Sequence, residues 1–318
     1  MAATLTFHGT TITLAQPKRV RDDLRETPSG APADNTGWCV WETANIMLRM
    51  IASDENFQAI RTAVQGPAAA GDTVHVAHLP HVQACDGEEP AAGKDALWWR
   101  EHPLLDLSAG AGTLGIAAAC AGSGTVVMAD IGPQLEQLET NVQANGAAVS
   151  APGALAQPAG AAAAGTPANI PVVEYWWAQP VDALRAVVAA PTRPSVGYPD
   201  KPYGAVVASD VIFIAVRDGL EDQLHDTLVK AATELSDVVL CAWEERLPDE
   251  EQAFLDALAA SGSVRVTELM APALELDQAH AMAGIQGATG EELVGSIFWE
   301  PPPIRCVAVW APPAAAPA

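Results

Sequence analysis

Three closely set glycines follow a short apolar run in LLDLSAGAGTLG (104–115), and Gly110, Gly112 and Gly115 have the types and spacing of a turn that holds a ligand against bare backbone. Without a Cβ, Gly110 and Gly112 can take positive φ, and a helix beginning at Thr113 would direct its first N–H groups at that ligand. The pattern fits G-x-G-x-x-G, so a nucleoside-bearing cofactor is the chemistry to expect. Asp130 ends the next apolar run, where a carboxylate can accept both hydrogen bonds of a ribose diol and repel a 2′-phosphate; its other reading is a cap for the helix after Pro133. Trp176 and Trp177 close a third run, and Trp177 is taken as the ring that stacks on or covers an adenine. Ser209 and Asp210 close a fourth.

Ligands of an open α/β sheet sit beyond the carboxyl ends of its strands, so these residues belong together only if the runs are parallel strands. The pattern predicts strands over 104–107, 125–129, 171–175, 204–209, 238–243, 263–267 and 304–310, with helices over 113–121, 134–145, 181–189, 217–235 and 250–260. That alternation implies a mostly parallel sheet covered on both faces. Ahead of it, residues 4–15 read as a hairpin around His8-Gly9-Thr10, and 41–51 as an amphipathic helix with Trp41, Ala44, Met47 and Ile51 on one face. The division expected is a hairpin and helix over 1–60, an insertion over 61–100, the main domain over 101–311 and a tail over 312–318. Within the domain, 147–168 is nearly all Ala, Gly and Pro, and 271–290 is similar, so both read as excursions. His75, His78 and His81 recur every three residues, but Pro80 and the alternation of VHVAHL argue against the single helical face a metal would need, and no metal is expected.

A net charge of −23 with just sixteen Lys and Arg argues against non-specific nucleic-acid binding, which requires clustered cations. Such acidity favours a basic partner, or simply keeps an alanine-rich chain in solution. Cys39, Cys85, Cys120, Cys241 and Cys306 are odd in number and widely spaced, which fits reduced thiols rather than a disulfide framework or a zinc knuckle. With no basic leader and no apolar run near the ~20 residues of a membrane span, a soluble monomer in the cytoplasm, or also the nucleus, is expected, with no membrane partner.

Two nucleoside chemistries then compete. A nicotinamide enzyme usually needs a second half-domain and an acid or base beside the hydride acceptor. Transfer from a sulfonium is an in-line displacement in which alignment and desolvation supply most of the catalysis, so a methyl donor makes fewer demands.

In this order along the chain, GWCVWETANIML (37–48), LLDLSAGAGTLGIAAAC (104–120), VVMADIGPQLEQLETNVQANG (126–146), EYWWAQP (174–180), YGAVVASDVIF (203–213) and LCAWEER (240–246) resemble the seven-strand S-adenosylmethionine-dependent methyltransferases. Within them they resemble the protein-lysine group of methyltransferase family 16, which includes the valosin-containing-protein lysine methyltransferase. A V-W-[DE]-x-A segment before the glycine loop and D-x-x-[YF] after the fourth strand are diagnostic together. The resemblance implies a Rossmann-like seven-stranded, mostly parallel sheet with a C-terminal antiparallel strand. It implies S-adenosylmethionine as cofactor and a lysine of a protein partner as acceptor. Trp41 would help form the cofactor pocket; Asp106, Ser108, Gly110 and Gly112 would hold the methionine portion, with Ser209 beside them; Asp130 would bind the ribose and Trp177 flank the adenine. Asp210 and Phe213 would lie at the lysine channel, Asp210 positioning the amine and Phe213 lining it. Capping of the next turn is the other reading of Asp210.

The chain departs from the family at Ser108, where glycine is usual, and at Phe213, where tyrosine is frequent. Ser108 fits the turn if its φ is negative, and Phe213 excludes any role for a phenol. A small-molecule methyltransferase, a degenerate S-adenosylmethionine-binding protein and a nicotinamide enzyme are the other functions the sequence admits.

Overall fold

Along each central strand the buried side chains alternate between two cores, as a sheet covered on both faces requires. Leu104, Val126, Met128, Ala205, Val207 and Leu240 enter one core, while Leu105, Val127, Ala129, Val206, Ala208 and Val239 enter the other. The computed structural model describes residues 2–7, 10–15, 43–44, 47, 51, 60, 74–75, 103–120, 125–146, 170–188, 201–270 and 304–312. The strands are β1 (Ala2–Phe7), β2 (Thr10–Ala15), β3 (Val74–His75), β4 (Leu104–Asp106), β5 (Val126–Asp130), β6 (Val172–Glu174), β7 (Ala205–Ser209), β8 (Val239–Glu244), β9 (Arg265–Met270) and β10 (Ile304–Trp310). The helices are α1 (Thr113–Cys120), α2 (Gly132–Ala144), α3 (Asp182–Val187), α4 (Val211–Asp218), α5 (Glu221–Lys230) and α6 (Pro248–Ala260).

β1 and β2 form the expected hairpin. The main sheet runs β3-β9-β10-β8-β7-β4-β5-β6. Its neighbours are parallel except at β10, which is antiparallel to both β8 and β9, so the Rossmann-like seven-stranded sheet and its C-terminal antiparallel strand are present. An eighth strand corrects the reading of 61–100 as an insertion throughout: Val74 and His75 pair with Leu269 and Met270 at the sheet edge. His78, His81, Cys39, Cys85 and the segments 147–168 and 271–290 lie outside the described residues. Among the described residues, no cluster of three metal-ligating side chains occurs, and no helix is long and apolar enough to cross a membrane.

α1 and α2 cover one face, together with Ile12 and Leu14 of the hairpin and the helical residues Ala44, Met47, Ile51 and Ile60. The spacing of 44, 47 and 51 is the one expected. Asn145 fastens the hairpin to the end of α2: Thr13 N–H donates to its Oδ1 at 2.9 Å, and its Nδ2 donates to Thr13 O at 2.7 Å. α3, α4, α5 and α6 cover the other face. One helix was expected over 217–235. Instead α4 ends at Gly219, whose φ of 68° gives a left-handed cap, and α5 restarts beyond it and closes in a π-turn over Ala231–Leu235. α4 itself was not anticipated, because Val211-Ile212-Phe213-Ile214 has strand-like branched and aromatic composition. Burial of Val211, Ile212 and Ala215 overrides that local preference.

The winding direction reverses between β4 and β7. α1, which follows β4, lies on one face, and α4, which follows β7, lies on the other. The two connections therefore part beyond the strand ends and open a crevice there. Close packing of α1 on β5 keeps it in place: a Cβ on Gly115 would lie 2.3 Å from Met128 Sδ and 2.6 Å from its Cγ. Gly115→Ala is therefore expected to cost about 1–3 kcal/mol in chemical denaturation despite alanine's better helix propensity.

Candidate functional site

The crevice widens into a cavity of about 340 Å³ beyond the ends of β4, β5, β6 and β7, a size suited to a small-molecule ligand. Its floor is the glycine loop. Leu107 N–H donates to Val207 O at 2.9 Å and Ala109 N–H to Ala129 O at 3.2 Å, so the loop is sewn to both neighbouring strands. Gly110 (φ 52°) and Gly112 (φ 87°) take the left-handed conformation expected of them. Any side chain on Gly112 would meet Leu138 Cδ1 at 2.8 Å.

Asp130 joins the end of β5 to this loop. Gly110 N–H donates to its Oδ2 at 2.7 Å and Ile131 N–H to its Oδ1 at 2.8 Å. Because α2 starts with Ile131 at its N-cap and no side chain caps it, capping is not what the carboxylate does. Each carboxylate oxygen retains acceptor capacity toward the cavity it lines. Asp106 lies beneath, only 2% exposed, taking Ser108 N–H at 3.3 Å. Burial pushes Asp106 up to about 7, and the neighbouring Asp130 charge adds to the rise, against hydrogen bonds from Ser108 and Gly115. Burial likewise pushes Asp130 up to about 6, opposed by the Gly110 and Ile131 N–H groups.

The charge balance of the lining is one-sided. Asp106, Asp130, Asp210 and Asp218 line the cavity, and no Lys, Arg or His does so among the described residues. Asp210 pairs with Arg246 at 3.3 Å and Asp218 with Arg217 at 2.7 Å, which among the described residues leaves Asp106 and Asp130 without a cation. Those residues offer a pyrophosphate no cationic side chain, whereas they offer a positive charge two carboxylates.

Ser108 occupies the turn without positive φ, and its hydroxyl bridges β4 to β7. It donates to Ser209 O at 3.1 Å and accepts Ser209 N–H at 2.8 Å. The side chain thus holds together the two strand ends at which the sheet's winding reverses, and Ser108 and Ser209 both line the cavity.

Asp210 also borders the cavity, in the left-handed conformation (φ 60°), and its carboxylate is engaged by groups at the end of β8. Oδ1 accepts Glu244 N–H at 3.1 Å, and both oxygens take the Arg246 guanidinium. It does not cap α4. Burial raises its pKa, with Arg246 opposing. Asp210 therefore ties the start of α4 to the end of β8, an engagement that the amine-positioning role expected of it would have to share. Phe213, expected to line the channel, is not among the residues that line this cavity. On α4 it is Val211, Ile214 and Asp218, three and four residues apart, that turn to the cavity, while the Phe213 ring carries Arg246 at 4.4 Å and Arg217 at 5.4 Å.

Trp176 and Trp177 both line the cavity from a turn in which Ala178 (φ 66°) donates its N–H to Thr227 Oγ1 at 2.8 Å. Trp177 is half-buried against the α5 side of the core, whereas Trp176 is 44% exposed with its Nε1 donating to Glu174 Oε1 at 3.0 Å. Trp41 lies outside the described residues.

Among the lining residues that the sequence did not single out are Gln134 on α2 and Gln223 on α5, and the amide oxygen of each is buried with no hydrogen-bond partner among the described residues. Gln134 had a legible signal: it stands in the apolar stripe of its helix with Leu138 and Val142. Gln223 had none, since the break at Gly219 sets the phase of its helix.

No protein-family model matches the chain, and no curated protein matches it. Among solved structures, the chain is similar to mitomycin 7-O-methyltransferase at 13% identity over 67% of this chain and 50% of that one, with a TM-score of 0.37. It is similar to precorrin-6y C5,15-methyltransferase of Geobacter metallireducens at 14% identity over 66% and 80%, with a TM-score of 0.32. For ribosomal protein L11 methylase of Lactobacillus delbrueckii subsp. bulgaricus the figures are 14%, 66% and 70%, with a TM-score of 0.30. At such scores the likenesses carry no argument about activity; what the cavity can hold follows from its own residues.

Proposed function

We propose that the chain is an S-adenosylmethionine-dependent methyltransferase whose acceptor is a lysine side chain of a protein partner. The observation that carries the cofactor is the pairing of a nucleoside-type glycine loop with a cavity whose described lining holds two aspartates unpaired with a cation and no Lys, Arg or His. That lining favours a nucleoside bearing positive charge and disfavours a dinucleotide bearing a pyrophosphate. Asp130 would bind the ribose, Trp177 would flank the adenine, and Asp106 with the Ser108–Gly112 backbone would hold the ammonium and carboxylate of the methionine portion. When bound, the cofactor supplies a methyl group on a sulfonium, displaced in line by a nucleophile.

Support for a lysine comes from the net charge of −23, which favours a basic partner, and from the apolar wall of Val211, Ile214 and Leu220 beyond Ser209. Lysine is protonated near neutral pH, with a reference pKa of about 10.4, and an apolar wall favours the neutral amine by desolvation. With Asp210 engaged by Arg246, Gln223 is a neutral side chain of the lining that would orient an amine N–H once its amide turns its oxygen to the cavity. A neutral acceptor has the further merit that it does not stabilise the ammonium as a carboxylate would.

Incubation with labelled S-adenosylmethionine and a cell extract, followed by mass spectrometry of the labelled products, is expected to place label on lysine. Label on arginine, glutamine or a small molecule would overturn the acceptor. No binding of S-adenosylmethionine in calorimetry would overturn the cofactor.

A further inference from the structure

Gln134 is 6% exposed on a stripe of α2 that also carries Leu138, Asn141 and Val142. Each of the other three has its work. Val142 sits in the core, Asn141 Nδ2 donates to Ala111 O at 2.8 Å, and Leu138 closes on Gly112. One turn nearer the crevice, Gln134 continues that stripe along the glycine loop and reaches the cavity beside Asp130 and Ile131. Its Oε1 is buried and accepts nothing from the described residues. Native interiors rarely tolerate an amide left in this state, because the lost hydration is not replaced.

A half-turn of the amide exchanges its oxygen and nitrogen without moving the stem, so which of the two faces the cavity is an assignment. A hydroxyl can meet either atom, whereas an ammonium can meet only the oxygen. Resting on the reading of the cavity as an S-adenosylmethionine site, we infer that Gln134 is the second residue of a sugar corner, meeting one hydroxyl of the ribose diol while Asp130 meets the other. The corner thereby selects a ribose with both hydroxyls free. Neither the glycine loop nor the acidic residue after the second strand of the domain supplies this contact, so it is a property of this chain's α2.

The test compares S-adenosylhomocysteine with its 2′-deoxy and 3′-deoxy counterparts on the full chain by calorimetry, in the wild type and in Gln134→Leu. The wild type is expected to lose about tenfold in affinity for each missing hydroxyl. Gln134→Leu is expected to bind S-adenosylhomocysteine about tenfold more weakly and to lose discrimination against one deoxy analogue while keeping it against the other. A melting temperature at or above that of the wild type shows that the variant is folded, since leucine removes an unpartnered polar group. Should Gln134→Leu not fold, Gln134→Asn, one methylene shorter, must show the same selective loss. Wild-type affinity for S-adenosylhomocysteine in the variant, or both discriminations intact, would overturn the inference and leave the cofactor standing. Failure of the wild type to bind S-adenosylhomocysteine would overturn the cofactor reading and the inference with it.

Discussion

Asp130→Ala is expected to lower affinity for S-adenosylmethionine by one to two orders of magnitude while leaving the unliganded protein folded. Two effects act together. The ribose loses a charged acceptor, and a hydrogen bond to a charged group contributes roughly 1.5–3 kcal/mol, so that contact alone is worth about tenfold to a hundredfold. The loop also loosens, because Gly110 N–H and Ile131 N–H, held at 2.7 and 2.8 Å, lose their partner. Stability is affected less, since the substitution also removes a carboxylate whose ionisation is opposed by burial. Asp130→Asn separates shape from charge. Its single amide oxygen can serve only one of the two N–H groups and sets an NH₂ against the other, so it is expected to be nearly as impaired as alanine. Calorimetric affinity within about threefold of the wild type for either variant would remove Asp130 from the ribose assignment.

The site divides into a part that the sequence makes legible and a part that it hides, and the division follows the range of the interactions. Gly110, Gly112 and Asp130 declare themselves because their roles are local: a positive φ needs glycine, and a carboxylate at a strand end has a short list of uses. Ser108 looks like a defect in a glycine-rich turn until β7 lies beside it; its bridge to Ser209 spans 101 residues of chain. Asp210 and Phe213 are only half legible for a related reason. Their positions along the chain were right, but which way they face depends on α4, a helix hidden by its β-branched composition, and on Arg246 arriving from the end of β8. The parallel sheet was legible from alternating runs, whereas β3 was not, since two residues cannot display a period.

Affinity for S-adenosylmethionine is expected to rise with pH by about tenfold or more between pH 5.5 and 7.5, and Asp106→Asn is expected to flatten the upper part of that rise. Burial raises Asp106 from 3.8 to about 7 and Asp130 from 3.8 to about 6, so both carboxylates are largely neutral at the lower pH and ionised at the upper. A cationic ligand binds the ionised forms and pulls both pKa values down, so binding must release protons over this interval. Calorimetry in buffers of differing ionisation heat reads that release directly, and proton uptake, or a pH-independent affinity, would contradict the assignment of a cation beside Asp106. The same shift has a counterpart in stability. A carboxyl whose folded pKa lies above its unfolded value favours folding most below pH about 4, and that contribution is lost as pH rises through about 7. For Asp106 the interval corresponds to a cost on the order of 4 kcal/mol at pH 8, taken from a shift from 3.8 to about 7. Asp106→Asn should therefore melt higher than the wild type at pH 8 and near it at pH 4, while binding the ligand less well. A gain in stability coupled to a loss in binding is what separates a carboxylate kept for a ligand's charge from one kept for the fold, because removing the latter would lower both.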